Sequence, residues 1–155
     1  MHHSGMRRIL FVAALAVSAS MASAEAVWQT SFEKAAKLSR QSGLPIMAQF
    51  TGSDWCPPCK AFEATILSTP IFESWAKTHV VLLKLDFPKR HPQPPALAKA
   101  NAQLASRYQV AYFPTVLFIK ADGQLISSLG FSGGGPTFWT KNAEIVMRSG
   151  AKMAH

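Results

Sequence analysis

Two cysteines, Cys56 and Cys59, make up the thiol inventory of this 155-residue chain, and they stand three apart in Trp55-Cys56-Pro57-Pro58-Cys59-Lys60. Residues at i and i+3 of a helical turn project from the same side. Two sulfurs so placed can close and reopen a disulfide without large backbone movement. At the start of a helix, Cys56 would lie where free N–H groups and the positive end of the helix dipole favour thiolate over thiol. The thiolate is the form that attacks a disulfide. Cys59, one turn further in, is then suited to attack the mixed disulfide and release the partner. Pro57 and Pro58 stiffen the turn and withdraw two N–H donors from around the sulfur.

Other uses of two thiols stay open at this level. A structural zinc site wants four ligands, and the chain offers two cysteines and no His-x₃₋₅-His. Two thiolates can hold Cu(I), with Met47 and histidines as further donors. An inert disulfide is the third alternative, although closing so short a loop constrains the unfolded chain little.

The elements that must position this pair read as follows. Thr30 or Ser31 caps a helix to about Arg40, with Phe32, Ala35, Ala36 and Leu38 as its apolar stripe and Gly43 past its end. Pro45 to Phe50 is a short buried strand, and Thr51 to Asp54 a loop. A helix runs from about Cys56 to Leu67, turning Phe62, Ile66 and Leu67 inward. Thr69-Pro70 opens another through Lys77, and Val80 to Leu85 is a second buried strand. Four prolines between Phe87 and Pro95 exclude helix and central strand. Ala96 to Tyr108 is helical. Val116 to Lys120 and Gln124 to Leu129 form a hairpin around Asp122-Gly123. Gly133-Gly134-Gly135-Pro136 is a joint, and Thr137 caps a last helix to about Ser149. The order β-α-β-α-β-β-α, after one extra N-terminal helix, predicts an α/β fold: a mixed central sheet with helices on both faces. With 48% apolar and 15% charged residues, one packed domain is affordable. No internal repeat is visible.

Met6-Arg7-Arg8, the apolar run Ile9–Val17 and Ser18–Ala24 have the form of a signal peptide, with cleavage expected after Ala24 and the mature domain over 25–155. Met6 reads as the natural first residue. The apolar run is too short to span a membrane, so no span is expected after cleavage. Losing Arg7 and Arg8 lowers the net charge from +8 to +6. The remaining basic residues are scattered and not interleaved with aromatics, which argues against a nucleic-acid groove. Export places the thiols in an oxidising compartment, periplasmic or extracellular.

The Trp55–Lys60 motif after a strand ending in Phe50, with Phe113-Pro114-Thr115 before a strand, resembles the thioredoxin superfamily over about residues 44–131 plus the closing helix. The Gly52-Ser53-Asp54-Trp55-Cys56 lead-in is similar to exported thioredoxin-like proteins and to the C-terminal domain of the transmembrane electron transporter of the Dsb system. The resemblance implies Cys56 as nucleophile and Cys59 as resolving cysteine. It implies Trp55 packed beside the site and Pro114 in a cis bond against the cysteines, with Pro57 and Pro58 as support. Phe113 would pair its backbone with the bound substrate chain as an added strand. The implied activity is disulfide exchange with protein thiols and disulfides, on the reductive or isomerising side. A membrane transporter of the Dsb type would be the electron source, and no cofactor or metal is needed beyond the disulfide itself. A direct oxidant is the other sense within that class.

Two departures from the family stand out. A buried acid is common in the strand before the motif, whereas Gln49 here cannot titrate. The residues between the cysteines are Pro-Pro and not Gly-Pro. Asp54 and Glu63 are nearby acids, expected as solvated surface charges. His79 and His91 show no partner in the sequence. Loop 87–95 could line the substrate face or only connect, and Phe131 with Gly133–Gly135 could flank the rim.

Overall fold

A computed structural model describes residues 26–153. The expected leader and cleavage point fall outside these residues.

Ser31 caps α1 (Phe32–Ser42) by accepting from the Lys34 N–H, and Gly43, at φ 73°, ends it in the left-handed region. Glycine is what that position requires, having no Cβ to clash. Leu38 faces solvent and Ser39 takes the buried place on the stripe, held by its hydroxyl donating to Leu44 O. β1 (Ile46–Thr51) is buried along its whole length, as a strand covered on both faces must be.

α2 (Pro57–Phe62) starts with prolines in its first turn and runs directly into a π-helical turn, Glu63–Leu67. The expected uninterrupted α-helix to Leu67 is therefore corrected. The Ser68 N–H reaches back five residues to Glu63 O. The wider turn slows the rotation per residue, so Phe62, Ile66 and Leu67 all end buried.

Thr69 caps α3 (Pro70–His79), with Pro70 at the first position. β2 (Val81–Asp86) follows, then α4 (Pro95–Arg107), β3 (Thr115–Ile119), β4 (Leu125–Leu129) and α5 (Gly135–Met153). The last helix begins two residues before Thr137 and continues beyond Ser149.

The sheet order is β2-β1-β3-β4, with β1 parallel to β2 and the other pairs antiparallel. Alternate residues of each strand serve two cores. Ile46, Ala48, Phe50, Leu83, Leu85, Leu117 and Ile119 pack under α1 and α4. Met47, Leu82, Val116 and Phe118 pack under α2, α3 and α5, with Phe62, Phe72, Trp75 and Trp139 between. One pairing was not legible in the sequence: Gln29 bridges Leu83 in parallel beyond β2, its N–H bonded to Leu82 O and its carbonyl to the Lys84 N–H. It occupies part of an otherwise open sheet edge.

Candidate active site

The β1–α2 junction builds the site. β1 is fixed between β2 and β3, so its C-terminal end delivers Thr51 and Gly52 to a defined place. Gly52 O then accepts from the Trp55 and Cys56 N–H groups at 3.3 and 2.9 Å, a tight turn that aims the chain into α2. Cys56 is the N-cap residue. Its backbone is extended, and its sulfur accepts from the Cys59 N–H at 3.3 Å. Most helices use a hydroxyl or carboxylate oxygen in that role; here the capping atom is a cysteine sulfur.

Cys56 and Cys59 are joined as a disulfide with Cα atoms 5.2 Å apart. Both are buried, Cys59 at 1% exposed and Cys56 at 4%. The Gly52 N–H points at Cys59 Sγ from 3.5 Å. Cys56 Sγ lies 3.9 Å from Phe113 O, and the Phe113–Pro114 bond is cis. Beside them a groove of about 430 Å³ is lined by Pro58, Tyr112, Phe113, Pro114, Leu129 and Phe131, among others. Phe131 thus reaches the rim. The triple glycine lies beyond it, where Gly134 packs against the ring of Phe138.

Trp55 stands beside the disulfide, its indole meeting Phe113 edge-on at 6.2 Å between centroids. Its Nε1–H donates to Phe87 O at 2.7 Å, Phe87 stacks on Phe113 at 4.9 Å, and Lys89 Nζ sits 3.7 Å from the indole centroid. The segment after β2 is therefore a wall of the site and not a mere connection.

Asp54 holds that wall. Its carboxylate accepts from the N–H groups of Lys89, Arg90 and His91 at 3.0, 2.8 and 3.0 Å and contacts His91 Nδ1 at 3.1 Å. Its side chain is 8% exposed, so the expectation of a solvated charge is corrected. The Lys89 N–H bond, with those of Arg90 and His91, holds the carboxyl far below the usual carboxylate range despite the opposing effect of burial. The physical signal was present in the sequence. Prolines strip donors from loop 87–95, and the few N–H groups left must find an acceptor. Asp86 adds a parallel tie, accepting from the Ser53 N–H and hydroxyl.

A second cavity, of about 440 Å³, is lined by Thr51, Ser53, Cys59, Lys60, Glu63, Ala64, Ser68 and Lys84. Glu63 pairs there with Lys84 at 3.3 Å, so it too is a partnered acid, and partly covered. Gln49, the register neighbour of Lys84, is fully buried with neither amide atom hydrogen-bonded.

The residues considered as extra copper donors do not gather at the sulfurs. Met47 is buried in the core among Phe62 and Ile66. His91 bonds to Asp54. His79 stacks on Trp75 at 5.0 Å and faces Glu144 at 3.7 Å. Both histidines thus have partners that their sequence neighbourhood did not reveal.

The model of the thioredoxin-like domain family matches residues 32–132. The chain is 35% identical over 122 residues to the disulfide bond reductase DsbH of Chlamydia pneumoniae, covering 78% of this chain and 73% of that protein. It is 38% identical over 87 residues to the thiol:disulfide interchange protein DsbD of Klebsiella pneumoniae, covering 56% of this chain and 13% of that longer protein. A solved structure described as DsbH oxidoreductase superposes with a TM-score of 0.77 at 30% identity, over 94% of this chain and 95% of that one.

Proposed function

The chain belongs to the thioredoxin-like family of protein-disulfide oxidoreductases, and from that premise we propose that it reduces or isomerises disulfides of exported protein substrates. Cys56 is the attacking thiolate and Cys59 the resolving thiol. The observation that carries this reading is the placement of Cys56 Sγ as the N-cap acceptor of α2, facing Phe113 O and cis-Pro114.

In the reduced protein the Cys59 N–H, and the helix dipole behind it, stabilise negative charge on Cys56 Sγ. That thiolate attacks one sulfur of a substrate disulfide. A new S–S bond forms, and the other substrate sulfur leaves as a thiolate and takes a proton from water. Cys59 then loses its proton and attacks Cys56 Sγ. The mixed disulfide breaks, the second substrate thiolate leaves, and the Cys56–Cys59 disulfide remains. Two electrons have passed to the substrate. Gln49 cannot receive the Cys59 proton, whereas the Glu63 carboxylate lines the same cavity as Cys59 and fits that role. The groove along Phe113 accepts the substrate backbone as an added strand. Each reductive turnover leaves an oxidised protein, so a reductant must restore it. The signal-peptide pattern and the likeness to DsbD support a membrane transporter of the Dsb type in a periplasmic setting.

The test is the equilibrium potential of the Cys56–Cys59 couple, measured with turnover of a protein disulfide. A value near about −270 mV supports a reductant, and one near about −120 mV makes the protein an oxidant. Cys56→Ser should abolish turnover, and Cys59→Ser should accumulate the mixed disulfide. Full activity of Cys56→Ser would refute the assignment.

A further inference from the structure

Charge is distributed unevenly around the disulfide. The acids near it are all engaged: Asp54 with three backbone N–H groups and His91, Asp86 with Ser53, and Glu63 with Lys84. The bases are not. Lys60, Lys89 and Arg90 are exposed, and among the described residues none of the three pairs with a carboxylate. Lys89 is tied to the chemistry by a chain of contacts: its ammonium lies over Trp55, which touches Phe113, whose carbonyl faces Cys56 Sγ. The 86–91 segment cannot drift away from this position. Asp54 grips three consecutive N–H groups, Phe87 O holds the indole, and Phe87 stacks on Phe113. The groove along Phe113 is otherwise apolar, with Tyr112, 70% exposed, Phe131 and Pro58 among its lining.

We propose that the Phe87–His91 segment is a specificity wall, on which Lys89 and Arg90 select partner segments carrying an acidic residue next to the reacting cysteine. The inference rests on the exchange activity proposed above and names its substrate class. A pair of cations carried on a fixed backbone acts on such a partner at encounter and in the mixed disulfide alike, and discriminates mainly through rejection of the like-charged alternative. Asp54 is the positioning residue of this wall. It does not touch the substrate, but it holds the backbone from which both cations project.

The experiment uses two symmetric cystine peptides that differ only in the residue following cysteine, Glu or Lys. They are reduced by the protein under continuous regeneration with dithiothreitol, against the uncatalysed background. At low ionic strength the kcat/KM ratio, Glu peptide over Lys peptide, is expected to be about tenfold and to fall as salt screens the wall. The double substitution Lys89→Ala, Arg90→Ala should bring the ratio close to one. Asp54→Asn should lower it with both cations retained. Turnover of both peptides at equal rates by the unaltered protein, or a ratio unmoved by the double substitution, overturns the wall and leaves the exchange activity standing. Absence of catalysis on both peptides overturns the wall and the exchange activity together.

Discussion

Replacing Gly52 by alanine tests how tightly the site is assembled. The backbone at Gly52 is not in the left-handed region, so the substitution carries no conformational strain. By itself it should stabilise the protein by about 0.4–1 kcal/mol through the unfolded chain. The opposing effect is steric. A Cβ at this position would lie 2.5 to 2.8 Å from Cε2, Nε1 and Cζ2 of Trp55, so the indole must retreat by roughly 1 Å to reach ordinary van der Waals distance. It is not a free-ended side chain. Retreat weakens the bond to Phe87 O, worth about 1 kcal/mol, the Lys89 contact, about 0.5–1 kcal/mol, and the Phe113 edge contact, about 0.5–1.5 kcal/mol. Set against the gain, the net loss is about 2 kcal/mol, or roughly 5 °C in the melting midpoint. Exchange activity should fall with it, since Trp55 adjoins Cys56. The check is a double-mutant cycle by urea unfolding. With Trp55→Ala already present there is no ring to displace, and Gly52→Ala should cost nothing or stabilise slightly, giving a coupling of about 2 kcal/mol. A single substitution costing under about 0.5 kcal/mol, or strict additivity in the cycle, would refute the argument.

Two further outcomes follow from buried polar groups. Gln49→Met keeps the volume and removes two amide atoms that have no hydrogen-bond partner, so stability should rise by about 1–2 kcal/mol. This would be read as a higher urea midpoint at unchanged slope, and a lower midpoint would show that the amide is hydrogen-bonded in the folded protein. Asp54, with its carboxyl held far below the usual range by the loop N–H groups, contributes stability in its ionised form. That contribution is present above the unfolded carboxyl range and is lost as pH falls from about 4 toward the folded value. The stability difference between the protein and Asp54→Asn should be steady near neutrality and shrink below about pH 4; a difference independent of pH contradicts the assignment.

The fold was legible where the signal is local. Pro45 and Pro70, the buried run at Val80–Leu85 and the Asp122-Gly123 turn mark element ends whatever surrounds them, and the observed bounds differ by only a residue or two at most of these. The cysteine pair was legible because spacing and type suffice to define it. What escaped depends on partners distant in sequence. The π turn follows from what Phe62, Ile66 and Leu67 must bury, not from a residue preference. Asp54 looked like any exposed acid until loop 87–91 came against it, 35 to 37 residues on. His79 finds Glu144 on another helix. The Gln29 bridge is a single residue pair, too short to show a strand pattern.

The sulfur that caps α2 also ties redox state to folding. The Cys59 N–H points at Cys56 Sγ, the sulfur proposed as the thiolate of the reduced form, and N–H bonds are stronger to a thiolate than to a neutral sulfur. Whatever this bond adds to the reduced form beyond the oxidised form raises the potential, at about 30 mV for each 1.4 kcal/mol. Around a closed thermodynamic cycle, the difference in unfolding free energy between the two forms equals the offset of the folded couple from the same couple in the unfolded chain. Two denaturation curves, one with the disulfide closed and one with it open, therefore measure how far folding moves the couple away from its potential in the unfolded chain.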